Sequence, residues 1–179
     1  MRILYTSDLH GEPGLYEQFY ELLDSGRPDA VILGGDICPT RFGPDGPPLQ
    51  RKFLERLLER FDHYGARGMR FYFIFGNADC RANWEWLVSR ARPHAVPLHG
   101  RVEPLMDDIL LTGYPCVPVT PLALKDWEKR DRRETGAERW DGIRTHVAGV
   151  THVDVRRDDP ADTLAADLEI GRASCRERV

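Results

Sequence analysis

The sequence predicts an α/β fold built on a parallel sheet, and three observations point to it. Three runs of β-type residues, Ile3-Leu4-Tyr5, Ala30-Val31-Ile32-Leu33 and Phe71-Tyr72-Phe73-Ile74-Phe75, alternate with stretches whose apolar residues recur at helical spacing. Each run leads into a short polar island: Ser7-Asp8-Leu9-His10-Gly11, Gly34-Gly35-Asp36 and Gly76-Asn77-Ala78-Asp79. The third run is apolar almost throughout, which suits a strand covered on both faces. In a parallel sheet the three islands fall along one edge, where open α/β folds place their chemistry.

Taken in order, a strand is expected over 2–6. Leu15, Phe19, Leu22 and Leu23 then mark a first helix, closing near Gly26 and Pro28. A second strand covers 30–34. Residues 39–48 are rich in Pro and Gly and read as a surface loop near the island edge. Phe53, Leu54, Leu57, Leu58 and Phe61 mark a second amphipathic helix. Its charged face, Arg51, Lys52, Glu55, Arg56, Glu59 and Arg60, reads as solvated and laced by i,i+4 pairs. The third strand covers 70–75, and Asn83 to Val88 is expected to be a third helix whose two Trp anchor it on the sheet.

Residues 95–98 and 109–113 read as further strands, joined through Met106-Asp107-Asp108. The mixed-charge run 125–134 is expected to be a solvated loop or helix, with a phosphate-contacting patch as the second reading. A strand around 146–155 and a helix from near Asp159-Pro160 complete the pattern.

A chain of 179 residues is long enough for one domain with a sizeable core. Its net charge of −4 gives no global sign of a nucleic-acid partner or an anionic membrane. No apolar run approaches the ~20 residues of a membrane span, and the apolar start breaks at Asp8, unlike a secretory signal. The four cysteines, Cys38, Cys80, Cys116 and Cys175, form no Cys-x-x-Cys pair, so a zinc knuckle is not expected and a reduced, cytoplasmic compartment is.

The islands carry the chemistry. Asp8 and His10 flank Leu9, and in extended backbone residues two apart share a face, so both can reach one ion. Gly11 lets the chain turn away. Asp36 follows two glycines, where its carboxylate can bridge two cations, and Asn77 offers a neutral oxygen. Carboxylate, imidazole and amide ligation suits Mn²⁺, Fe or Zn²⁺ better than Ca²⁺. Two such ions about 3.5–4 Å apart can clamp a phosphoryl group and activate a water.

With these residues, the chain resembles the calcineurin-like metallophosphoesterase superfamily, whose pattern runs Asp-x-His, Gly-Asp, Gly-Asn-His-Asp/Glu, a single His and Gly-His-x-His. The resemblance is specific over 1–79 and looser, through Gly113-Tyr114-Pro115 and Thr120-Pro121, to about 169. It implies a β-sandwich flanked by helices in four αββα layers. It also implies two divalent metal ions (Mn²⁺, Fe or Zn²⁺), with Asp8 and His10 on the first, Asp36 bridging and Asn77 on the second. Asp79 would support the site without binding metal. The implied activity is hydrolysis of a phosphomonoester or phosphodiester, with a small-molecule or nucleotide phosphoester as substrate and no membrane partner.

Two departures stand out. Ala78 replaces the His that in the family steadies the transition state and protonates the leaving oxygen, with Arg81 the nearby candidate for electrostatic help. No Gly-His-x-His exists either, and His63, His94, His99, His146 and His152 have no matching context. Ala78 keeps open the alternative of a degenerate member that binds without turnover. The last ten residues, 170–179, read IGRASCRERV and resemble a translated sequencing adapter. The expectation is therefore a phosphoesterase domain over 1–169 that lacks its C-terminal part, a non-native tail, impaired activity and an exposed apolar sheet face.

Overall fold

The computed structural model describes residues 1–132, 136–137 and 139–169. The adapter-like segment 170–179 lies outside them, as do positions 133 and 134 of the mixed-charge run.

Four parallel strands form the central sheet: β1 (Ile3–Thr6), β2 (Ala30–Leu33), β3 (Arg70–Phe73) and β4 (Ala95–Pro97), in that spatial order. Helix α1 (Pro13–Gly26) connects β1 to β2 and α2 (Gly46–Gly65) connects β2 to β3. Parallel crossovers are right-handed, so two crossovers progressing in the same direction put both helices on one face. Val31, Leu33, Phe71 and Phe73 turn toward Phe19, Leu23, Leu54, Leu57, Leu58 and Phe61 in one buried cluster. In α1 the stripe that faces the sheet is Tyr16, Phe19 and Leu23, whereas Leu15 and Leu22 are exposed. Helical spacing locates this helix but places two leucines on the wrong side; the inward face is instead aromatic, with Tyr16 packing edge-on against Phe53 of α2.

Alternate strand residues face the other side. There Ala30, Tyr72, Val96 and Leu98 pack with Ile32, Ile74, Leu105 and Leu111. The last two come from a hairpin, β5 (Val102–Met106) with β6 (Ile109–Thr112), turning at Asp107 and Asp108. Only its second strand is expected from the sequence; β5 alternates weakly and contains Pro104. The hairpin covers β3 and β4 but not the β1 side, where Ile3 is 46% and Tyr5 63% exposed. β3 is buried on both faces, as its apolar run requires: Phe71, Tyr72 and Phe73 are each at most 1% exposed.

After Asp79 a short 3-10 turn (Arg81–Asn83) runs into α3 (Trp84–Val88). Trp84 packs edge-on against Phe75 and stacks on His99, whose ring centroid lies 3.6 Å away. Further on, β7 (Val117–Pro118) pairs with β8 (Glu128–Lys129), and β9 (Asp141–His146) forms a hairpin with β10 (Gly149–Asp154). The single strand expected over 146–155 is therefore the second arm of a hairpin that turns at Val147 and Ala148. The helix expected from Asp159-Pro160 begins later, with residues 164–169 helical.

The mixed-charge run is the main correction. Lys125, Asp126, Trp127 and Glu128 are buried, not solvated, with Lys125 fully enclosed. Lys125 Nζ donates to Glu128 Oε2 at 2.7 Å and to the Thr120 carbonyl at 2.6 Å. Glu128 in turn accepts from the Thr120 amide and hydroxyl. Burial of an ion pair is tolerable only when the remaining polar groups are satisfied as these are. Charge composition alone cannot reveal that pairing, so the run reads as surface. Among the described residues, no helix is long and apolar enough to cross a membrane.

Candidate metal centre

Because β1, β2 and β3 are parallel, their C-terminal ends lie side by side, and the three islands leave the sheet together. Backbone hydrogen bonds join the first two. Asp8 N donates to Gly35 O (3.1 Å), His10 N to Asp36 O (2.8 Å) and Gly11 N to Ile37 O (3.2 Å). Asp8, His10 and Asp36 have φ values of 58°, 48° and 50°. This left-handed backbone costs a non-glycine residue roughly 1–2 kcal/mol. It persists only where the surroundings over-determine it, a situation that clusters at functional sites. The extended-backbone reason for pairing Asp8 with His10 is thus corrected. The two side chains converge through left-handed turns on either side of Leu9, whose own side chain is buried.

Asp8, His10 and Asp36 each offer a ligand atom, and these atoms lie within 4.8 Å of one another. His10 Nε2 is 4.0 Å from Asp36 Oδ2, while the other ring nitrogen, Nδ1, is 2.9 Å from the Thr40 hydroxyl. The second carboxylate oxygen of Asp36 accepts the Ala78 amide at 2.7 Å. Burial raises the Asp36 carboxyl above its ordinary value; the Ala78 amide and His10 oppose that shift and Asp8 adds to it. Gly76 presses directly on this group. A Cβ there would lie 2.5 Å from Asp36 N and 2.8 Å from its carboxyl carbon. The glycine is thus required for β3 and β2 to approach at this point.

Asp79 does not point into the cluster. It is fully buried and accepts the amides of Gly76 (2.8 Å), Cys38 (2.8 Å) and Ile37 (3.2 Å), tying the third island to the second. Burial pushes its carboxyl up to about 6, against the pull of those three amides. Asn77 sits between Gly76 and Ala78, both of which contact Asp36. Ala78 is buried. Arg81 donates its amide to Asp126 and lays its guanidinium 5.4 Å over the Trp127 ring. His99 is not drawn into the cluster: its Nε2 accepts the Phe75 amide. His152 stands exposed on β10.

Three residues that brace the site are not singled out by sequence reasoning. Gln50 is fully buried and holds the third island, donating to Ala78 O (2.9 Å) and Pro39 O (3.1 Å) and accepting Cys80 N (2.7 Å). A usable signal exists for it, since Gln50 stands four residues before Leu54 on the apolar stripe of α2. Trp127 donates its indole N–H to Asp79 O at 2.8 Å. Thr40 carries no signal at all, being a hydroxyl in a loop of Pro and Gly.

Comparison with known proteins bears on this geometry. A family model described as calcineurin-like phosphoesterase matches residues 1–158. A tRNA U34 carboxymethyltransferase from Pectobacterium atrosepticum is 31% identical over 94 residues, which are 52% of this chain and 28% of that protein. The chain therefore spans under a third of that relative's length. No solved structure matches the chain significantly.

Proposed function

Because the chain belongs to the calcineurin-like phosphoesterase family, we propose that it is a metal-dependent phosphoesterase acting on a phosphomonoester or phosphodiester of a small molecule or nucleotide. One observation carries this reading. Two carboxylates and an imidazole from adjacent parallel strand ends bring donor atoms within 4.8 Å of one another. The residues fit divalent cations. Their oxygen and nitrogen donors suit Mn²⁺, Fe or Zn²⁺, and left-handed backbone at all three is the kind of strain that clusters at functional sites. On this reading Asp8 and His10 would hold a first ion, Asp36 would serve both, and Asn77 would hold a second. Bound ions of this kind supply Lewis acidity toward the phosphoryl oxygens and lower the pKa of a water.

The remaining work falls to the protein. The Ala78 amide takes one oxygen of Asp36 and so fixes the plane of the carboxylate. Asp79, accepting the Ile37 and Cys38 amides, and Gln50, donating to Pro39 O and Ala78 O, keep the third island against the second. Position 78 supplies no proton donor, which favours leaving groups that depart as stable anions, aryl phosphodiesters among them. The full four-layer sandwich and a cytoplasmic setting belong to the proposal as well.

The test is a Mn²⁺ titration with an aryl phosphodiester assay on this chain, with and without Asp36→Asn. Metal-dependent turnover lost in Asp36→Asn is the expected result. No metal-dependent turnover would sink the catalytic proposal. Ala78 specifically favours a second reading, a member that binds metal and phosphoester without hydrolysis; retained binding with no turnover would select it.

A further inference from the structure

We infer that Thr40 is the positioning residue of this centre, its hydroxyl accepting the Nδ1–H of His10 and so presenting Nε2 to a cation shared with Asp36. The inference rests on the metal-binding reading above. The two ring nitrogens face different partners: Nδ1 lies 2.9 Å from Thr40 Oγ1, and Nε2 lies 4.0 Å from Asp36 Oδ2. The backbone of His10 is fixed by its left-handed φ and by the bond from its amide to Asp36 O. The ring is not fixed by these. Its side chain is 37% exposed, and among the described residues no other hydrogen bond reaches it. Without Thr40, the imidazole is free to flip and to exchange tautomers.

A nitrogen that binds a cation must offer its lone pair. The proton of the neutral ring then sits on the other nitrogen and needs an acceptor. Only the Nδ1–H tautomer satisfies both groups here: the hydroxyl accepts, and Nε2 stays bare on the side of Asp36. Partners of this kind orient metal-binding histidines, and losing one typically costs about 10–100-fold in metal affinity. Thr40 is itself exposed and uncharged, which places the effect near the lower figure. The protein carries its own control. His146 Nε2 lies 3.0 Å from Thr151 Oγ1 on the β9–β10 hairpin, a His–Thr pair with no carboxylate cluster beside it among the described residues.

The experiment titrates Zn²⁺ and Co²⁺ into the whole chain and into Thr40→Val, Thr40→Ser and Thr151→Val, read by calorimetry and by the Co²⁺ absorption bands. Nitrogen-15 spectra of the Zn²⁺-loaded parent then locate the His10 proton. Thr40→Val should weaken binding about tenfold and alter the Co²⁺ spectrum, Thr40→Ser should restore both, and Thr151→Val should change neither. The His10 proton should sit on Nδ1. Parent-like affinity in Thr40→Val, a Ser variant as weak as the Val variant, or Zn²⁺ bound through Nδ1 would each overturn the inference while leaving the metal site standing. A parent chain that binds neither ion would overturn both. The nitrogen-15 measurement needs no variant, so a poorly folding Thr40→Val does not rescue the idea.

Discussion

Replacing Gly76 with alanine puts the packing of the centre to its hardest test. The added Cβ would stand 2.5 Å from the backbone nitrogen of Asp36 and 2.8 Å from its carboxyl carbon. Contacts under 3.0 Å are not sustained, so the two loops must separate by about 0.5 Å or more. The obstacle is backbone and cannot rotate away. Moreover, Asp36 is held by bonds on both sides, from His10 N to its carbonyl and from Ala78 N to its carboxylate. Overpacking of this kind costs about 1–3 kcal/mol, and the shift falls on the carboxylate proposed to be shared between ions. Urea denaturation should therefore show a loss of that size, and Mn²⁺ titration a drop in affinity of about tenfold or more, since disturbing the partners of a ligand costs that much. A variant within about 0.5 kcal/mol of the parent, the scatter of neutral surface changes, and with unchanged Mn²⁺ affinity, would refute the argument that this glycine sets the spacing of the site.

Other outcomes follow from neighbouring groups. Gln50→Leu leaves Ala78 O and Cys80 N without their buried partner, so denaturation should show a loss of roughly 2–4 kcal/mol; less than about 1 kcal/mol would mean the latch is not needed. Asp79 titrates near 6 in the folded chain, above an ordinary carboxyl. Its contribution to stability is therefore fully present below about pH 4 and is lost as pH rises through 6, on the order of 3 kcal/mol. Metal-free protein should show that decline relative to Asp79→Asn, and parallel pH profiles for the two would contradict it. Lys125→Met strands the buried Glu128 carboxylate and should cost about 3–5 kcal/mol, whereas adding Glu128→Leu should recover much of it; equal stability of single and double variants by denaturation would show that the pair is not coupled.

Much of the centre is legible in the residues alone. Residue type and the strand preceding each one single out Asp8, His10 and Asp36, and the fold brings those three together. The same grounds single out Asn77, whereas Asp79 is singled out only by the family resemblance. The pairing of Asp8 with His10 holds for a different reason than alternation suggests, because a rule for extended chain does not apply where the backbone is left-handed. Left-handed φ at Asp or His leaves no reliable mark in a sequence, whereas at glycine it is half expected. Likewise, Lys125 to Glu128 read as surface because a charge looks solvated until its partner is known, and that partnership depends on where Thr120 and β9 lie.

The parallel αβ rhythm, the edge on which the polar islands gather and the chemical type of their donors are written in the chain. These depend on local periodicity and residue identity, which the chain carries within a few residues. How closely the strand ends approach at Gly76, which nitrogen of His10 faces Asp36, and which side chains brace the site from behind emerge only from folding. Thr40, Gln50 and Trp127 lie 30, 28 and 48 residues from the groups they hold, and hydrogen bonds over such distances exist only once packing has brought their ends together.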